Sequence, residues 1–207
     1  MTTMHVRRFC ASLIALMFAA SSFAQEAPAP APEAPARELP QVLIKTTQGD
    51  IVVELEDEKA PKTVDNFLKY VKAGYYKNTI FHRVIKDFMI QTGGYTKDLK
   101  PKPGVRKAIP IEDQNGLQNK AYTLAMARSA SPNSATSQFF INTVDNPGLD
   151  FPGTDGHGYT VFGRVVKGQE VVDKIKAVLV DDINAEFRNV PVNPITITAT
   201  TVLKTVK

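Results

Sequence analysis

Tryptophan is absent from the 207-residue chain, and cysteine occurs once, at Cys10. One thiol excludes an internal disulfide framework and a cysteine-built zinc site. No apolar run reaches the roughly 20 residues of a membrane-spanning helix, which excludes a polytopic membrane protein. Histidine is scarce: His5, His82 and His157 are too few and too scattered for a convincing metal site. Neither sign of charge dominates, with 25 Lys and Arg against 21 Asp and Glu, so a nucleic-acid partner has little support. Lys97, Lys100, Lys102, Arg106 and Lys107 are expected to form a solvated basic loop. No G-x-S-x-G elbow surrounds Ser129, Ser131, Ser134 or Ser137, which speaks against a serine hydrolase. Asp181, Asp182 and the run Glu56, Asp57, Glu58 suit solvated loops better than a glycosidase pair. What is present is an ordinary apolar share, 43%, enough for one folded core in a chain of this length.

The first residues have the order of an export signal. His5, Arg7 and Arg8 form a positive segment, Phe9 to Ala20 an apolar one, and Ser22-Phe23-Ala24 offers small residues for cleavage. A signal peptide is expected over 1–24, cut after Ala24, with the periplasm as destination and no stable membrane insertion after cleavage. Losing Arg7, Arg8 and Cys10 leaves a Cys-free chain whose core alone must hold the fold. Residues 25–40 are rich in Ala and Pro and are expected to be a semi-extended linker. The domain is expected over 41–207.

Within it, β-rich runs around Gly49-Asp50 predict a hairpin over Gln41 to Leu55. Pro61 opens and Gly74 closes a helical pattern in which Val64, Phe67, Leu68 and Val71 share a face. Strands are expected over Thr79–Ile85 and Phe88–Thr92, joined by a two-residue turn at Lys86-Asp87. Further strands are expected over Tyr122–Ala127, Gln138–Asn142, Thr160–Val165 and Ile195–Val206, and a second helix over Gly168–Val178. Many short strands with one early and one late helix predict a mainly β fold, an antiparallel barrel or sandwich with helices over the open ends. Alternation places Arg83 opposite to His82 and Val84, and puts Met89 and Gln91 on a common face.

Three segments carry a resemblance: FHRVIKDFMIQTGG from Phe81, SQFFI from Ser137, and GYTVFG from Gly158. In this order and spacing the chain resembles the cyclophilin-type peptidyl-prolyl cis-trans isomerases, from about Val42 to Val206. AMARSASPNSATSQFFIN and the short Thr96–Lys120 connection resemble the bacterial, exported branch. The resemblance implies a closed eight-stranded antiparallel β-barrel capped by two α-helices, and no cofactor. It implies Arg83 as the catalytic arginine. It implies Phe88, Met89 and Phe140 as the proline pocket, with Leu149 as a further apolar wall. Gln91 matches the amide that holds substrate backbone, and Ala127 and Gln138 match positions along the peptide groove. The implied partners are Pro-containing unfolded or partly folded polypeptides, met by a monomer.

Four positions depart from the family pattern. Lys86-Asp87 replaces a common Pro-Gly turn, and Arg128 stands where many relatives have Asn. Tyr159, a further expected substrate contact, stands where His is frequent. Gly148 stands where cyclosporin-sensitive members carry Trp, so weak affinity for that ligand is expected. A competing reading is a binder that grips proline segments without turning them over; Arg83 favours the enzyme, since gripping alone needs no donor aimed at the prolyl nitrogen.

Overall fold

A computed structural model describes residues 38–203. The expected signal peptide, the linker as far as residue 37 and the end of the last expected strand lie outside the described residues. Strands β1 (Gln41–Thr46) and β2 (Gly49–Leu55) form the predicted hairpin, pairing Val42 with Val53 and Ile44 with Ile51. Its turn is Thr47-Gln48, two residues before the expected Gly49-Asp50. The Thr46 hydroxyl closes it, donating to the Gly49 carbonyl at 2.7 Å and accepting from the Gln48 N–H at 3.0 Å.

Helix α1 (Pro61–Lys72) starts at its proline and buries Val64, Phe67, Tyr70 and Val71. Ala60 has no side chain to cap it. A distant carboxylate does so instead: Glu112 accepts from the Lys62 and Thr63 N–H groups at 3.1 and 2.9 Å, and from the Thr63 hydroxyl at 2.7 Å. Gly74, at φ +66°, takes the left-handed conformation that ends the helix.

The remaining elements are β3 (Arg83–Ile85), β4 (Met89–Thr92), β5 (Thr123–Met126), β6 (Phe139–Asn142), β7 (Val161–Lys167), α2 (Gln169–Lys176), β8 (Val180–Asp181), β9 (Val190–Pro191) and β10 (Ile197–Leu203). Eight strands form one antiparallel sheet in the order β10-β1-β2-β7-β5-β6-β4-β3, and β8 and β9 form a separate small hairpin that the sequence pattern did not predict.

The sheet curls but does not close, so the expected closed barrel is corrected to an open half-barrel. Its edge strands, β3 and β10, share no ladder. The segment before β3 meets β10 and its approach through an isolated bridge, Ile80 to Thr196, and three backbone hydrogen bonds: the Phe81 N–H donates to the Ile195 carbonyl at 2.9 Å, the Asn78 N–H to the Ile197 carbonyl at 2.8 Å and the Ile197 N–H to the Thr79 carbonyl at 2.8 Å. Two features explain the gap. The β3 strand is three residues long, and its Val84 N–H bonds the Asn189 carbonyl in a loop at 2.9 Å. Pro191 and Pro194 precede β10 and have no N–H to extend a ladder.

Alternation along the central strands produces two apolar clusters. One side carries Val84, Ile90, Leu124, Phe139, Ile141 and Phe162 into the main core, joined by Phe67 of α1 and Val172 and Ile175 of α2. The other side carries Met89, Ala125, Phe140 and Val161, packed against partly buried Ile85, Phe88, Leu117, Ala127, Leu149 and Tyr159.

Candidate active site

Strand register assembles the site on that second side. Arg83 pairs with Gln91, Gln91 with Phe140, Phe140 with Ala125 and Ala125 with Val161. One row therefore crosses five strands: a guanidinium, an amide, an aromatic ring, a small residue and a valine. Ile85 pairs with Met89 in the next position, so Met89 lies beside the row. Cross-strand neighbours of this kind stand close enough for their side chains to touch.

Because Ile85 pairs with Met89, three residues, Lys86 to Phe88, make the connection, one more than expected. The correction moves Phe88 out of the strand and onto the rim. Its carbonyl is pinned there by the Thr143 N–H at 3.1 Å and the Asn146 side-chain amide at 2.8 Å. Leu149 ends a short turn, and its carbonyl accepts the Tyr159 N–H at 2.8 Å. The Tyr159 ring meets Phe140 edge to face, with centroids 5.7 Å apart.

A cavity of about 300 Å³ results, lined by Arg83, Phe88, Met89, Gln91, Ala127, Arg128, Phe140, Leu149 and Tyr159. Eight of the nine sequence-derived site residues thus meet in one place. The ninth, Gln138, lies at its edge and accepts a hydrogen bond from the Gln91 amide at 2.9 Å. Gly94 makes room for it: a Cβ there would lie 2.5 Å from the Gln138 side chain. Beside Leu149, Gly148 leaves open space, with nothing within 4 Å of where a Cβ would stand.

The half-buried guanidinium of Arg83 lies 5.8 Å from the centre of the Phe88 ring. Among the described residues its side chain makes no hydrogen bond or ion pair with the protein. Its neighbour His82 is buried, and desolvation pushes the imidazole down to about 4, so it is neutral at physiological pH.

A second, wider basin of about 480 Å³ shares Arg83, Gln91 and Gln138 and continues past His82 and Tyr95 to residues 185–189. Tyr95 stands between the rings of His82 and Phe187, at 4.8 and 5.0 Å. Sequence reasoning missed Tyr95, Phe187, Arg188 and Asn189. They reach the groove through the β8–β9 hairpin and the fold of the 95–101 loop, neither of which has a local sequence signal that points to Arg83.

Comparison with known proteins agrees with this arrangement. Residues 41–202 match the family model described as cyclophilin type peptidyl-prolyl cis-trans isomerase/CLD. The chain is 51% identical over 164 residues to peptidyl-prolyl cis-trans isomerase cyp18 of Streptomyces antibioticus, an alignment that covers 78% of this chain and 98% of that protein. It is 55% identical over 139 residues to peptidyl-prolyl cis-trans isomerase B of Escherichia coli, covering 66% of this chain and 84% of the relative. A Cryptosporidium parvum cyclophilin-type isomerase, solved in the presence of the dipeptide Ala-Pro, superposes with a TM-score of 0.65 at 30% identity, over 80% of this chain and 99% of its own. Motif order, sheet topology and these likenesses converge: the chain belongs to the cyclophilin-type peptidyl-prolyl cis-trans isomerases, enzymes that interconvert the two forms of the Xaa-Pro bond.

Proposed function

We propose that Arg83 is the catalytic donor of this isomerase, and that the cavity beside it holds the substrate proline. The reaction breaks no covalent bond. Its barrier is amide resonance, about 18–20 kcal/mol, and the two Xaa-Pro isomers differ by only about 0.5–1 kcal/mol. Catalysis therefore requires an environment that favours the twisted amide over both planar forms. Twisting returns the lone pair to the prolyl nitrogen, which becomes a hydrogen-bond acceptor. A guanidinium is a donor that keeps its charge across the whole physiological range.

The observation that carries this reading is the uncommitted Arg83 side chain in a cavity it shares with the apolar side chains of Phe88, Met89, Phe140 and Leu149. A guanidinium already held by a carboxylate would gain little by turning to substrate. Met89, Phe140, Leu149 and Tyr159 would grip the proline ring, with Phe88 at the rim. Gln91, oriented by Gln138, would hold the flanking backbone together with Ala127. Rotation then occurs between two fixed ends. A bound peptide that displaces water from the cavity would strengthen the Arg83 contact where it is needed.

The substrates we propose are Pro-containing segments of unfolded or partly folded exported proteins, met by a monomer in the periplasm. The support is the order of charged, apolar and small residues in the first 24 positions, followed by the Ala/Pro linker to residue 40. Detection of a mature chain beginning at Gln25 in a periplasmic fraction tests that part.

The test of the mechanism is a proline-peptide isomerisation assay on Arg83→Ala. Turnover is expected to fall about 10²–10³-fold, as for removal of a preorganised donor, with an unchanged circular dichroism spectrum. Turnover equal to that of the unaltered protein would remove Arg83 from its role.

A further inference from the structure

Arg83 shares the cavity with a second arginine whose chemistry is the reverse. Arg128 also lines the cavity, yet its side chain is only 4% exposed and every donor group is engaged. Its Nε donates to the Gly158 carbonyl at 3.0 Å. One terminal nitrogen donates to the Ser129 carbonyl at 3.1 Å. The other donates to the Asp155 carboxylate at 2.9 Å and to the His157 carbonyl at 3.2 Å. Three of these four acceptors belong to the segment 155–158. The guanidinium carbon lies 4.7 Å from the centre of the Tyr159 ring.

The backbone beneath Tyr159 has its own anchors. The Gly158 N–H donates to buried Asp113 at 2.7 Å, and the Tyr159 N–H to Leu149 at 2.8 Å. The Tyr159 ring does not. Its placement rests on packing, and among the described residues its aromatic and cationic contacts are two: the edge-to-face meeting with Phe140 and the cation over its face. A planar fork suits this double duty, since it can stack on a ring while its edge bonds carbonyls in plane.

We propose that Arg128 is a positioning residue of the isomerase: it fixes the Tyr159 ring as a wall of the proline pocket and so sets substrate affinity without touching the reacting amide. This rests on the assignment of the cavity as the proline pocket. A wall that contacts the proline equally in planar and twisted forms contributes uniform binding, which appears in KM and not in kcat.

The test is a mutant cycle between Arg128 and Tyr159, with KM and kcat measured separately on an Ala-Pro peptide. Arg128→Ala is expected to raise KM roughly fivefold, the scale of one well-placed aromatic contact, while kcat stays within about twofold. Arg128→Lys keeps a cation near the ring and is expected to recover part of the loss. Tyr159→Ala is expected to raise KM at least as much as Arg128→Ala, and adding Arg128→Ala to it is expected to change KM no further. If Arg128→Ala does not fold, Arg128→Lys and Asp155→Asn carry the same comparison, each with a smaller rise that vanishes in the Tyr159→Ala background. A fall in kcat at constant KM, or an equal rise in KM with and without the Tyr159 ring, would overturn the proposal. The Tyr159 ring resonances in a proton NMR spectrum give a second readout, independent of substrate. They are expected to shift and broaden in Arg128→Ala, and an unaltered ring signal would count against the proposal. Failure of the pocket assignment would show instead as an unchanged KM in Phe140→Ala.

Discussion

Phe139 and Phe140 are adjacent in one strand and belong to different parts of the molecule. Phe139 faces the main core, where its ring lies 5.3 Å from Phe67 and 5.4 Å from Tyr76. Phe140 faces the opposite way, into the cluster that forms the cavity. Both are nearly inaccessible, at 1% and 4% exposure, so burial does not distinguish them. What differs is what lies beyond the ring. The core side is filled by both helices. The other side ends in an open cavity lined by a guanidinium that, among the described residues, has no hydrogen-bond or ion-pair partner. The same strands, read in alternate residues, thus give a packed interior and the wall of an open cavity. Under the proposed function, stability belongs to the first set and recognition to the second.

The strongest way to break this division is to truncate the two rings in turn. Phe139→Ala is expected to cost about 3–5 kcal/mol in urea unfolding, the range for a buried ring whose space cannot collapse. Phe140→Ala enlarges a space that already opens to solvent. It is expected to cost less stability and to raise KM about tenfold through loss of the ring's contact with proline. A larger stability loss at Phe140 than at Phe139 would erase the distinction.

The pair His82 and Arg83 sharpens the same contrast through pH. Burial depresses His82 from 6.5 to about 4, so folding favours the neutral imidazole. The stability it contributes is complete above pH 6.5 and is lost as pH falls towards 4, where the unfolded chain binds the proton first. The loss amounts to roughly 3 kcal/mol when protonation is complete. His82→Gln is expected to flatten that part of the stability profile. Denaturant midpoints measured from pH 7 to 4 check this.

The smallest expected effect is none. A guanidinium keeps its charge across the physiological range, and His82 is already uncharged near neutrality, so kcat is expected to be flat from about pH 6 to 9. A stopped-flow profile with an inflection near 6.5 would assign the chemistry to an imidazole.

Much of this division is legible in the sequence because it depends on period two. Alternation sets Arg83 opposite Val84 and puts Met89 with Gln91 on one face, and Pro61 and Gly74 bracket α1 by local backbone chemistry. The site residues followed from motif order. Three features were not legible, each for a physical reason. Whether the sheet closes depends on how the segments before β3 and β10 meet, more than 100 residues apart in sequence, with two prolines in the way. Phe88 shifted from strand to turn because the register of Ile85 and Met89 decides the loop length, and composition does not. In the sequence Arg128 is only a departure from the family pattern, standing where many relatives have Asn. Only the fold shows its donors turned to segment 155–158, which leaves Arg83 as the uncommitted cation of the pair.

The central claim is that this free guanidinium meets the prolyl amide as conjugation is lost. The most direct measurement is a crystal structure with an Ala-Pro-containing oligopeptide bound. The account predicts the proline ring against Met89 and Phe140, and an Arg83 N–H within about 3 Å of the prolyl amide. A peptide seated in the same cavity, with the Arg83 guanidinium turned away and out of hydrogen-bond reach, would contradict it.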